Sequence, residues 1–198
     1  MLQCAKPEGE TMNLKQALSQ SHEYARSLVQ AGDTVVDATM GNGHDTVFLA
    51  ELAGRSGKVY AFDIQQEALE ETENKLKEKG LLNRCVLIRD GHEKMKQYVS
   101  ESVRLVLFNL GYRPGGDHSL CTRGETTMQA VLSAFDLLMV HGLIILVIYH
   151  GGDSGFSERD YLLEQLPLMD PRKAAVMVNR FVNLPNCPPI LVCIEKLK

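Results

Sequence analysis

Cysteine is scarce and scattered in this sequence: Cys4, Cys85, Cys121, Cys187 and Cys193 are odd in number and far apart. With no C-x-x-C pair and no Cys/His cluster, neither a disulfide framework nor a zinc site is indicated. Cys85 and Cys193 fall inside apolar runs, where a thiol serves as a small hydrophobe. A reduced, cytoplasmic setting is the simplest expectation. Membrane-length apolar runs are missing as well, and Gly142 to Tyr149 is only strand-length. The N-terminus lacks the basic-then-apolar order of a secretory signal. There is no basic excess: the formal net charge is −4, which argues against broad nonspecific nucleic-acid binding. A local basic mouth around one site remains compatible with that charge. What the chain does have is 198 residues with 44% hydrophobic content, enough for one domain with a substantial core, expected over 1–198.

The organising stretch is Val35 to Thr46, VVDATMGNGHDT. Apolar residues lead into Asp37, a Gly41-Asn42-Gly43 turn follows, and Thr46 onward reads as a helix. Strand, glycine turn and helix form a βα unit whose backbone can approach a ligand closely, because glycine has no Cβ. Asp63 closes the next strand, Val59 to Ile64, twenty residues after Gly43. A carboxylate there is placed to hold a ribose hydroxyl pair. The unit reads as a nucleoside-cofactor site.

Two cofactors compete for it. A dinucleotide fold wants G-x-G-x-x-G, but Thr46 stands where the third glycine belongs. The pattern Asp37-x-Thr39-x-Gly41-x-Gly43 instead resembles motif I of the class I S-adenosylmethionine-dependent methyltransferases. That resemblance implies Asp37 near the amino-acid end of the cofactor and Asp63 on its ribose. With no pyrophosphate to neutralise, His44 and Asp45 at the helix start are tolerable. Glycine turn, Asp63 and a third acidic strand end at Asp90 together favour S-adenosylmethionine over NAD. Asp90, followed by Gly91 and His92, either meets the adenine amine or caps a helix over Glu93 to Val99; the two roles are compatible. The full cofactor set expected is Asp37, Thr39, Gly41, Asn42, Gly43, Asp45, Thr46, Asp63, Ile64, Asp90, Gly91, His92 and Asn109.

Around this core the elements fall in order. Residues 1–12 read as a poorly ordered start and residues 13–31 as a helix. His22 and Tyr24 on that helix are candidates to cover the pocket, although a solvent-edge histidine and a packing tyrosine are the plainer reading. Gln66 to Lys79 is an amphipathic crossover helix stopped by Gly80. Strands are expected over Arg84 to Asp90, Val103 to Leu110 and Gly142 to Tyr149, with a helix from Thr126 to Val140. Ser157 is placed to cap a helix over Glu158 to Leu166. Ala174 to Val182 and Ile190 to Lys196 leave no room for a helix between them, so they should pair antiparallel. The fold class expected is α/β: a Rossmann-like class I methyltransferase with seven mostly parallel strands, helices on both faces and a C-terminal β-hairpin.

Val103 to Leu110 runs into Gly111-Tyr112-Arg113-Pro114-Gly115-Gly116-Asp117-His118. Ligands of open α/β sheets sit at carboxyl strand ends, so this loop should face the reacting group. Asn109-Leu110-Gly111-Tyr112 occupies the place of the Asn/Asp-Pro-Pro-Tyr/Phe motif of amino-group methyltransferases. An amide oxygen there accepts from an amine and aims its lone pair, while Tyr112 stacks on a base. Leu110-Gly111 in place of the two prolines argues against a planar base amine. Over nearly its full length the chain resembles the small bacterial family of putative rRNA methylases. That resemblance rests on Asp37 to Thr46, Asn109 to Tyr112 with Pro114 to His118, Thr126-Thr127, Tyr149 to Gly152, and Pro188-Pro189. It implies methylation of the amine of 5-aminomethyl-(2-thio)uridine at the tRNA wobble position. The catalytic set is then Asn109, Tyr112, Asp117 and His118, with Asp117 or His118 taking the amine proton. Tyr112, Arg113, Arg123 and His150 are the expected RNA-contacting residues, and Arg172, Lys173 and Arg180 are weaker ones. Neither a metal nor a membrane is expected, and monomer and homodimer stay open. Rival readings are an rRNA, small-molecule or protein amine methyltransferase on the same fold, a non-catalytic cofactor-binding module, and an NAD-dependent oxidoreductase.

Overall fold

The computed structural model describes residues 13–111, 123–150 and 155–198. Seven strands form one sheet: β1 (Thr34–Asp37), β2 (Lys58–Asp63), β3 (Cys85–Arg89), β4 (Val103–Leu110), β5 (Leu138–Ile148), β6 (Ala174–Asn179) and β7 (Ile190–Lys196). Their order is β3-β2-β1-β4-β5-β7-β6. β1 to β5 run parallel, whereas β7 pairs antiparallel with both β5 and β6. Strand order reverses beside β1, and the carboxyl ends flanking that reversal form the natural ligand crevice of such a sheet.

The helices are α1 (Ala17–Leu28), α2 (His44–Ala53), α3 (Gln66–Glu78), α4 (Gly124–Leu137) and α5 (Gly155–Gln165). Alternation along the strands sends side chains to two separate cores. Val35, Val59, Leu105, Leu107, Ile145 and Val147 pack with Ala25, Leu49, Ala50 and Leu76 from α1, α2 and α3. Val36, Phe62, Val106, Phe108, Ile144 and Leu146 pack with Val131, Ala134 and Leu162 from α4 and α5. Burial on both faces explains why these strands read as nearly continuous apolar runs.

Several boundaries differ from the sequence reading: the helix expected over 13–31 is Ala17–Leu28, and the strand expected over Ala174 to Val182 ends at Asn179. The helix expected over Thr126 to Val140 stops at Leu137, and β5 begins at once with Leu138. Val103 pairs with Leu138 but Leu105 with Leu143, so a bulge absorbs the extra residues. His141 takes φ +62° within it, and a Cβ on Gly142 would lie 2.9 Å from the Arg104 carbonyl oxygen. An apolar run crossing such a bulge keeps helical spacing, which is why the periodicity misleads. The element expected over Glu93 to Val99 is a short 3-10 helix, His92–Gln97, with Gly91 in the cap position. Ser157 lies inside α5 rather than at its cap. Among the described residues no helix is long and apolar enough to cross a membrane.

Candidate active site

The turn from β1 to α2 is held by backbone bonds on both sides. The Ala38 amide donates to Leu107 O of β4 at 2.8 Å, and Met40 N–H donates to Phe62 O of β2 at 2.8 Å. Both glycines are left-handed, Gly41 at φ +49° and Gly43 at φ +77°. They serve different ends. A Cβ on Gly43 would fall 2.5 Å from Thr72 Oγ1, so this glycine lets α3 pack against the turn. Among the described residues a Cβ on Gly41 would meet nothing nearer than Thr39 O at 3.8 Å, leaving that side open to a ligand. Lys75 reaches across from α3 to the Asn42 carbonyl.

Three carboxylates surround this turn. Asp37 is fully buried; Thr46 Oγ1 donates to Oδ2 at 2.6 Å and Thr39 N–H to Oδ1 at 3.1 Å. Burial, and after it the negative charge of Asp45, pushes the Asp37 carboxyl up to about 7 despite those bonds. Asp45, in the first turn of α2, receives Asn109 Nδ2 at 3.1 Å on Oδ2 and His22 Nε2 at 2.7 Å on Oδ1. Asp63, ending β2, accepts from Gly41 N–H and Gln65 N–H, both at 2.9 Å. Those bonds use one lone pair on each oxygen, which leaves acceptor capacity for a pair of hydroxyls. Ile64 follows, 54% exposed, an apolar surface beside that carboxylate.

The third strand end is organised differently. Asp90 receives Gly91 N–H at 2.8 Å and Lys94 Nζ at 2.6 Å on Oδ1, and the Tyr98 hydroxyl at 2.7 Å on Oδ2. Lys94, then Tyr98 and Gly91, pull its carboxyl down to about 2. His92 is buried and donates Nδ1–H to Ala38 O at 3.1 Å, with its ring edge-on to Phe108. Burial lowers its pKa, so the neutral ring ties the end of β1 to the 3-10 helix.

At the tip of β4, Asn109 N–H donates to Thr39 Oγ1 at 2.7 Å, and its side chain reaches Asp45. The structure thus brings Asp37, Thr39, Asp45, Thr46 and Asn109 into one connected network, with Asp63 against the same turn. Besides the separate Asp90 cluster, two residues expected to contact the substrate lie outside that network. Arg123 is exposed and stands before α4, where its carbonyl receives Thr127 N–H. His150 is buried; Nε2 bonds Pro188 O at 3.0 Å and Nδ1 meets Arg159 Nη1 at 3.3 Å. Tyr112, Arg113, Asp117 and His118 lie outside the described residues. Among the described residues no three His, Cys, Asp or Glu side chains gather as a metal site.

Two residues take a part that the motifs do not give them: His22, expected at most to cover the pocket, and Tyr149. His22, from α1, enters the network through Asp45. Tyr149, just past β5, lies so close to Gly111 that a Cβ there would sit 3.4 Å from its own Cβ. Burial and the charge of Asp45 raise the Tyr149 hydroxyl pKa. Neither has a local sequence signal, since His22 bonds Asp45, and Tyr149 feels its charge, from a distant element. Tyr24, the neighbour of His22, packs against the core on that side of the sheet, as the plainer reading had it.

Solved structures share this architecture. A putative rRNA-methylase from Clostridium thermocellum is 52% identical, with TM-score 0.92 over 94% of this chain and 100% of that one. A putative methyltransferase from Streptococcus mutans, solved in complex with SAH, is 37% identical with TM-score 0.85, over 93% and 99%. The class is that of the S-adenosylmethionine-dependent methyltransferases of Rossmann-like fold, and the residues around the glycine turn fit that cofactor. The profile of the family described as putative rRNA methylase matches residues 59–195, and the chain belongs to that family. A curated relative, the chloroplastic tRNA (mnm(5)s(2)U34)-methyltransferase of Arabidopsis thaliana, is 40% identical over 76% of this chain, which spans 58% of that protein.

Proposed function

We propose that this methyltransferase N-methylates the aminomethyl group of 5-aminomethyl-(2-thio)uridine at the tRNA wobble position, in the cytoplasm. The observation that carries this reading is the 40% identity to the Arabidopsis tRNA methyltransferase. The site supports it: Asn109 closes β4 beside the glycine turn, where an amine acceptor is wanted, without the prolines that suit a planar base.

When bound, S-adenosylmethionine would supply a methyl group already activated on a sulfonium, whose neutral thioether is the leaving group when the methyl passes to the amine nitrogen. Asp63 takes the ribose hydroxyls on its remaining lone pairs, and the open side of Gly41 admits the nucleoside. Asp37 and Asp45 give the amino-acid end a negative wall. Asn109 accepts an amine N–H and so aims the nitrogen lone pair, the chief service an enzyme gives an activated methyl donor. A free alkylamine is largely protonated near neutrality, so Asp117 or His118 takes its proton before attack. Tyr112 packs on the uracil ring, while Arg113 and Arg123 meet anticodon phosphates.

Nucleoside mass spectrometry on tRNA from cells lacking this gene tests the reading. The expected result is loss of the methylaminomethyl nucleoside, accumulation of its aminomethyl precursor, and reversal by the restored gene. An unchanged tRNA profile overturns it. The family's own description favours a second acceptor, ribosomal RNA, and the same measurement on rRNA separates the two.

A further inference from the structure

We infer that His22 is a positioning residue for methyl transfer, acting through Asp45 on the side-chain amide of Asn109. The inference rests on the reading just given, in which Asn109 accepts from the substrate amine. A carboxamide has two unlike ends, and only the oxygen end can accept. Asp45 Oδ2 is an acceptor, so at 3.1 Å it takes the NH₂ end and leaves the Asn109 carbonyl oxygen for another partner. A flipped amide would offer donors to an amine and fail to aim its lone pair. The orientation of Asp45 therefore sets the polarity of Asn109.

Asp45 in turn is held by His22, whose Nε2–H donates to Oδ1 at 2.7 Å. The imidazole is fixed by packing. It stacks on Phe48 with ring centroids 4.1 Å apart, and the Arg26 guanidinium covers the same ring at 4.9 Å. Ala17, Ser21 and Ala25 bury the inner face of α1 beneath it. The chain His22–Asp45–Asn109 thus runs from a rigid helix to the tip of β4, with the Asn109 backbone anchored separately to Thr39 Oγ1.

The experiment compares wild type, His22→Ala, His22→Gln, Asn109→Ala and the His22→Ala/Asn109→Ala pair. Turnover is read on tRNA from cells lacking this methyltransferase, and calorimetry reads S-adenosylhomocysteine binding. The Asn109 side-chain amide, identified by its loss in Asn109→Ala, is followed in ¹⁵N–¹H correlation spectra. His22→Ala should lower kcat about tenfold with cofactor Kd within about twofold, as misplacement without lost binding predicts. His22→Gln, whose amide N–H reaches the same carboxylate, should recover most of that loss. In the Asn109→Ala background the His22 substitution should do nothing further. The Asn109 amide resonances should shift in His22→Ala and return in His22→Gln. Additive losses, cofactor affinity falling in step with kcat, or unmoved Asn109 resonances would overturn the inference. If wild type leaves this tRNA unmodified, the wobble-uridine reading fails, and the amide spectrum alone still decides for or against His22.

Discussion

Asp37 and Asp90 stand at corresponding places, one ending β1 and the other one residue beyond β3, yet their surroundings drive them in opposite directions. Asp37 is sealed in the sheet with hydrogen bonds from Thr46 and Thr39 and another carboxylate, Asp45, beside it, and its carboxyl is pushed up to about 7. Asp90 lies at the rim, where Lys94 and Tyr98 pull it down to about 2. A strand-tip aspartate therefore has no fixed role. Asp37 is a buried acid whose ionised form has no cationic partner among the described residues, as a site for a cationic ligand requires. Asp90 already has its cation, so anything binding there must share it.

Substituting both residues tests that contrast most severely. Asp37→Asn should weaken S-adenosylmethionine binding on the order of 100-fold by calorimetry, since it removes a buried charge facing a cation. The same change should raise the melting temperature of the free protein at pH 8 by a few degrees. Asp90→Asn should weaken binding by less than about fivefold, because its charge is already neutralised by Lys94. Equal losses in the two variants would erase the distinction.

Next comes the pH profile of binding. A cationic ligand favours ionised Asp37, so affinity should rise with pH up to about 7 and level off above it, with the value at pH 6 about tenfold below that at pH 8. Asp37→Asn should flatten this profile.

The stability of the free chain sharpens the contrast further. Asp37 has a folded pKa above its ordinary value, so the folded state holds the proton more tightly. Its contribution is intact below the ordinary carboxylate pKa and is lost as pH rises from about 4 through about 7. Asp90 has a depressed pKa, so its contribution is present above the ordinary value and lost as pH falls toward about 2. Melts across pH should lose the first trend in Asp37→Asn and the second in Asp90→Asn. Smallest of all, Lys94→Met should shift the melting temperature by no more than about 2 °C, as expected for an exposed i,i+4 pair.

Much of the fold could be read from the chain. β4 and β7 have the boundaries that the apolar runs indicate, Val103–Leu110 and Ile190–Lys196, and the hairpin pairs antiparallel because no helix fits between its strands. Lost in the sequence was the α4–β5 junction, where a bulge continues an apolar pattern without a break. In the site, the glycine turn and Asp63 were legible because their signals are local. The motif gives Gly43 as a cofactor residue, and the structure adds that its missing Cβ accommodates Thr72, a contact that spacing alone does not reveal. His22 and Asp45 are 23 residues apart on separate helices, and only the packed sheet brings them to 2.7 Å. The Lys94 partner of Asp90 was within reach at i+4, yet a strand-end motif draws the eye to the ligand rather than to the next turn.

The antiparallel placement of β7 bears on how the molecule is made. Among the seven described strands this one comes last in chain order but occupies an interior slot, with β5 on one side and β6 on the other. Until Ile190–Lys196 has been synthesised, the apolar flank of Ile144, Leu146 and Ile148 on β5 has no hydrogen-bonding neighbour on that side. A chain cut short of Ile190 would carry that open flank permanently and associate with its own kind through it, so nonsense products of this length should be insoluble.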